Sequence, residues 1–142
     1  MTGQGAGLGG LALPLPGGGT ARLRGGPFAA CPAEGFALCL DGEAANRHRA
    51  TILLPIPDFG VPDDLPALRA ALGATLAALR SGEAVYVGCR AGLGRTGLVL
   101  GCLARRSGVT EEPVAFIRRH YHPGAIETAA QEAFVREAPL DG

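Results

Sequence analysis

The chain has 142 residues, enough for one domain of ordinary size, and 47% of them are apolar, enough to fill a core. Thirteen basic residues balance thirteen acidic ones, so the overall charge gives no reason to expect nucleic acid or an anionic membrane as the main partner. No run of 18 apolar residues occurs and the first residues lack the basic start and apolar stretch of a signal peptide; the expectation is a cytoplasmic protein, monomeric, with any anion site a local feature.

Residues 1–26 hold ten glycines together with Pro14 and Pro16. Such a stretch has little side-chain surface to bury and a large ordering cost, which predicts a flexible leader over residues 1–21, with at most a weak edge strand after Thr20. A single domain is expected over residues 22–142. The apolar run at residues 36–40 reads as a buried strand closed by the turn Asp41-Gly42. Residues 47–54 lead through a second strand into residues 55–62, where three prolines forbid helix and favour an irregular loop. Asp63 or Asp64 then caps a helix whose Leu65, Leu68, Leu72, Leu76 and Leu79 form one apolar stripe, closed by Ser81-Gly82. Residues 84–87 are a strand, and residues 98–103 belong to a buried helix ending near Ser107-Gly108. Thr110 with Glu111, Glu112 and Pro113 starts a further helix, the acids sitting where the helix dipole favours them. Tyr121-His122-Pro123-Gly124 breaks it, and Thr128 with Gln131 opens the last helix as a capping box. Strands alternating with helices give an α/β fold: a mainly parallel sheet of about four to five strands, flanked by helices on both faces.

Cys31, Cys39, Cys89 and Cys102 match no zinc spacing, and a chain of this length needs no disulfide staples. They read as thiols in a reducing compartment. Cys31, Cys39 and Cys102 are expected to act as small core hydrophobes. His48, His120 and His122 have no metal-ligand spacing, and Arg118-Arg119 reads as a solvated helix face.

The segment carrying the chemistry is residues 85–97, a strand that enters a glycine-rich loop and leaves it as a helix. Backbone N–H groups of such a loop can point inward and cradle an anion, reinforced by the helix N-terminus. Gly92 and Gly94 permit the curvature. A cysteine at the loop's start, Cys89, sits beneath that cradle, where the same groups stabilise its reactive thiolate. Arg95, at the loop's end, can fold back and grip two phosphate oxygens as a fork. Such a site places a nucleophile below phosphorus and donors around the equatorial oxygens, as in-line displacement requires.

Cys89, the five residues Arg90, Ala91, Gly92, Leu93 and Gly94, then Arg95 and Thr96, resemble the signature of cysteine-dependent protein tyrosine and dual-specificity phosphatases. The wording of residues 91–97 is closest to small dual-specificity and mitotic-exit types, and the likeness extends over roughly residues 30–137. It implies hydrolysis of phosphate monoesters through a phosphocysteine at Cys89: phosphotyrosine, with phosphoserine or phosphothreonine, on a protein or a small molecule. It assigns Arg95 to phosphate binding and Thr96 to a hydroxyl that eases departure of the thiolate. Ile56-Pro57-Asp58 is similar to the family's mobile acid loop, with Ile in place of the usual Trp, and makes Asp58, ahead of Asp63 and Asp64, the general acid whose carboxylate later activates water. Residues 123–131 resemble the segment that positions the hydrolytic water, which gives Gln131 a role besides the capping box. No metal or organic cofactor is implied. One departure is Gly88, where the family usually carries His.

Two other readings compete. Gly92-Leu93-Gly94-Arg95-Thr96-Gly97 also fits a dinucleotide fingerprint, with Glu111 and Glu112 at the ribose distance, but it leaves Cys89 and Arg95 without roles. A phosphate-binding module without turnover is favoured by Gly88. Arg90, projecting from the loop, would add positive potential at its mouth.

Overall fold

The computed structural model describes residues 9–141. Five strands, β1 (Gly9–Pro14), β2 (Thr20–Pro27), β3 (Phe36–Cys39), β4 (Ile52–Leu53) and β5 (Val85–Cys89), form one sheet in the order β1-β2-β5-β3-β4. Only the β1–β2 pair is antiparallel; β5 pairs in parallel with β2 and β3, and β3 with β4. The central strand β5 therefore ends where the loop begins, and Gly88 and Cys89 lie level with Gly26 and Pro27 of β2.

Four α-helices follow the pattern of apolar residues: α1 (Leu65–Arg80), α2 (Gly94–Ser107), α3 (Pro113–His120) and α4 (Ala129–Glu137). Asp64, rather than Asp63, caps α1, its carboxylate accepting the N–H of Ala67 at 3.0 Å. The stripe Leu68, Leu72, Leu76 and Leu79 is buried as its spacing requires. α2 stops at Gly108, which takes a left-handed conformation with φ of 107°. α3 is capped by Glu112, not Thr110: its carboxylate accepts the N–H groups of Val114 and Ala115. The capping box of Thr128 and Gln131 opens α4.

The flanking of the sheet is unequal. Side chains alternate along β3 and β5, so Phe36, Leu38, Val85 and Val87 join the main core with all four α-helices. Ala37, Cys39 and Tyr86 point to the other face, where with Phe28 they form a small cluster. Single-turn 3-10 helices at Phe28–Ala30 and Arg47–Arg49 cover that side.

Residues 1–8 of the expected leader lie outside the described residues. Residues 9–21 do not behave as a leader: they supply β1 and its turn. Leu11 and Leu13 alternate along the strand, are 1% and 0% exposed, and pack into the main core. Burial of these two side chains offsets part of the cost of ordering their glycine neighbours. No described helix is long and apolar enough to cross a membrane.

Candidate active site

The loop between β5 and α2 is bent by Gly92, whose φ of 82° only glycine adopts without strain. A Cβ there would also lie 2.6 Å from the Cα of Gly26. The loop's carbonyls are tied to its outside. The Tyr121 hydroxyl donates to Gly92 O at 2.8 Å, and the N–H groups of Gly97 and Ile126 donate to Leu93 O at 2.9 and 3.1 Å. Burial, with Cys89 and Tyr86 close by, pushes the Tyr121 phenol up, so it remains a donor at neutral pH.

Inside the loop sits Cys89, 3% exposed. Its Sγ accepts the Gly92 N–H at 3.3 Å and the Thr96 hydroxyl at 3.0 Å. One donor comes from the loop and the other from the first turn of α2. Cys31, Cys39 and Cys102 form no disulfide; burial pushes the Cys102 thiol up to about 12, as suits a core side chain.

Arg95 is buried in the first turn of α2. An isolated guanidinium there would be costly, and this one is surrounded by acceptors. Nη1 donates to Ile56 O at 3.0 Å and Leu40 O at 3.5 Å, and lies 3.9 Å from Asp41 Oδ1; Nη2 is 3.4 Å from Asp58 Oδ1. The proline loop is thus fastened to the guanidinium by the backbone of Ile56 and the side chain of Asp58. At its other end Gln131 Nε2 donates to Gly60 O at 3.0 Å, while Gln131 Oε1 accepts from the N–H groups of Glu127 and Thr128. Gln131 therefore joins α4 to the proline loop in addition to capping.

Cys89, Ala91, Gly94, Arg95 and Asp58 line one cavity of about 240 Å³, with Arg90 exposed at its rim. A larger cavity of about 1130 Å³ adjoins it, shares Asp58, Arg90 and Arg95, and also takes in Asp41 and Asp63. Glu111 and Glu112 precede a helix instead of ending a strand, contrary to what a dinucleotide site requires.

Gly88 has a steric reason. A Cβ on it would lie 2.8 Å from Gly26 O and 2.9 Å from the Cα of Phe28, both backbone atoms. Three participants escaped the sequence reading. Tyr121 was absorbed into a helix-breaking turn. Arg118 is no solvated face, since it donates to the carbonyls of Ala125 and Ile126 and to Glu132. Glu127, within residues 123–131, lines the 240 Å³ cavity.

A mostly parallel five-stranded sheet whose central strand runs into a cysteine-bearing anion loop is the architecture of the small, dual-specificity-like protein tyrosine phosphatases. Solved structures of phosphatases resemble this chain. A kinase associated phosphatase, whose catalytic site cysteine is substituted by serine, matches with a TM-score of 0.60 and 26% identity over 72% of this chain and 65% of its own. Tk-PTP in a glycine-to-alanine mutant form gives 0.60 and 26% over 80% and 86%, and in its active form 0.54 and 28% over 68% and 73%. Two uncharacterized proteins of Methanocaldococcus jannaschii are 37% and 34% identical over 89 residues, 61% of this chain. The chain spans 58% and 54% of their lengths, little more than half. No protein-family model matches.

Proposed function

We propose that the chain hydrolyses phosphate monoesters through a phosphocysteine intermediate, acting on phosphotyrosine, with phosphoserine and phosphothreonine as further substrates, on proteins or small molecules in the cytoplasm. The observation that carries this is the placement of Cys89 Sγ beneath a donor-lined loop, with Arg95 and Asp58 converging on the same cavity. In this reading Sγ attacks phosphorus in line with the leaving oxygen. The N–H groups of residues 90–95 and the Arg95 guanidinium take the equatorial oxygens. Arg95 gives up its contact with Asp58 to do so, which frees the carboxyl to take a proton from solvent and, as the neutral acid, pass it to the departing alkoxide or phenolate. Thr96 donates to sulfur and stabilises it as the leaving group of the second step. Gln131 holds the acid loop at Gly60. Arg90 adds positive potential at the mouth.

Replacing Cys89 by Ser should abolish phosphate release from an aryl phosphate while leaving tungstate binding in place; release at the wild-type rate would refute the nucleophile. Replacing Asp58 by Ala should slow esters with poor leaving groups by roughly 10²-fold and good ones far less, in keeping with the scale of general acid catalysis. Equal losses on both would place the acid elsewhere.

A further inference from the structure

We infer that Tyr121 is a positioning residue of the phosphate site: its hydroxyl holds the Gly92 carbonyl on the outside of the loop, which turns the Leu93 N–H inward and so sets the loop's affinity for a phosphoryl group. The inference rests on the phosphatase reading above. The hydroxyl donates to Gly92 O at 2.8 Å within the core, the tyrosine being 7% exposed.

The consequence follows from peptide geometry. A trans peptide unit carries its C=O and its N–H on opposite sides, and the described residues contain no cis peptide bond. Gly92 O faces Tyr121, so the Leu93 N–H faces the inner side of the loop. Leu93 O is held outside in the same way, by the N–H groups of Gly97 and Ile126, which turns the Gly94 N–H inward. Neither the Leu93 nor the Gly94 N–H has an acceptor among the described residues, so both are open to the oxygens of an anion. The two carbonyls differ in what fastens them. Backbone donors hold Leu93 O, whereas a single side chain holds Gly92 O.

That side chain is needed because Gly92 is a pivot. Glycine turns about its own bonds at little steric cost, and converging N–H dipoles repel one another until an anion sits between them. Gly92 is gripped from two sides, its N–H by Cys89 Sγ at 3.3 Å and its carbonyl by the phenol. Tyr121 reaches the loop from the C-terminal end of α3, where its own N–H donates to Ile117 O at 2.8 Å. Its ring lies against Gly25 of β2: a Cβ there would lie 2.9 Å from the hydroxyl oxygen and 3.0 Å from Cε1. Glycine at 25 thus makes room for the phenol that fixes the glycine at 92. Burial, the main cause, pushes the phenol up and keeps the donated proton in place at neutral pH.

The test uses the full chain, with tungstate titrated by calorimetry and an aryl phosphate followed to saturation. Tyr121→Phe keeps the ring and removes the donor. Gly92 O is then free to turn inward, so only a fraction of the molecules offers the Leu93 N–H, and apparent affinity falls by that fraction. Tungstate Kd and KM should both rise roughly 10- to 100-fold, the range for one hydrogen bond to a charged group. The value of kcat should change far less, because saturating substrate restores the competent loop. Gly25→Ala, which keeps the hydroxyl but crowds it, should move Kd and KM the same way, and it carries the test if the phenylalanine variant does not fold. Unchanged Kd and KM in Tyr121→Phe overturn the inference. So does a fall in kcat with Kd and KM unaltered, the mark of a protein that has merely lost folded molecules. A wild type that binds tungstate without turnover overturns the phosphatase reading, and the affinity comparison still judges Tyr121; a wild type that does neither overturns both.

Discussion

Gly88 illustrates how a residue can be misread without its neighbours. Set against related phosphatases it looks like the loss of a useful histidine. In the fold it is the point where β5 passes the Gly26 carbonyl and the Phe28 backbone, with space for hydrogen only. Restoring a side chain should therefore harm the protein. Gly88→Ala should destabilise it by about 1–3 kcal/mol, the usual range for overpacking, and Gly88→His by more. Thermal unfolding checks this, and a Gly88→His variant of wild-type stability with higher activity would show that the backbone gives way. Gly25 has a similar reason, since a Cβ there would lie 2.9 Å from the Tyr121 hydroxyl. It is hidden among the ten glycines scattered over residues 1–26, whose abundance points to disorder. The proximity of Cys89, Arg95 and Thr96 was legible because they lie along one short loop. Glu127 was not, because its approach depends on the φ of Ile126 and on Arg118, neither of which leaves a periodic or spacing signal.

At the scale of elements, caps and stripes were readable to within a residue or two, because they depend on neighbours in sequence. α3 shows where competition between adjacent candidates defeats that reading. Thr110, Glu111 and Glu112 all fit a helix start, and Glu112 wins because Pro113 then falls on the first helical position. Arg136 of α4 supports the choice by hydrogen-bonding the same carboxylate at 2.9 Å. That bond first, then the N–H groups of Ala115 and Val114, hold Glu112 down to about 2. A carboxyl lowered on folding adds stability above its unfolded value of 4.5, and that stability is lost as pH falls toward 2. Because Glu112 is largely exposed, capping sets the magnitude: Glu112→Ala should cost about 1 kcal/mol at neutral pH. The difference from wild type should shrink below about pH 4 and vanish near pH 2, as followed by urea unfolding across that range. A difference independent of pH would mean that the carboxylate does not carry the cap.

At the scale of the molecule, the sheet connects the glycine-rich N-terminal region to the chemistry. β1 is an edge strand held by β2 alone, and β2 in turn lies beside β5 and supplies the Gly26–Pro27 backbone against which the loop curves. Tyr86, pushed up to about 12 by burial, donates its hydroxyl to Pro27 O at 2.7 Å and fixes that backbone from the opposite face. The parallel core could be inferred from apolar runs joined by helical stripes. The antiparallel edge could not, since composition over residues 1–26 outweighed a period-two signal only three leucines long, Leu11, Leu13 and Leu15. Leu13, fully buried on β1, separates a structural strand from a loose leader. Leu13→Ala should cost about 2–5 kcal/mol, the range for a leucine truncated in a packed core, against a total of only about 5–15 kcal/mol for a domain of this kind. It should lower the urea midpoint of the whole cooperative transition. Hydrogen exchange at Gly92 should quicken with it, because the loop amide is protected only while β2 is in place. A change below about 0.5 kcal/mol, the level typical of surface substitutions, would show that β1 is an accessory to the fold. The loop that holds sulfur would then owe its shape to β5, α2 and Tyr121 without help from the sheet's edge.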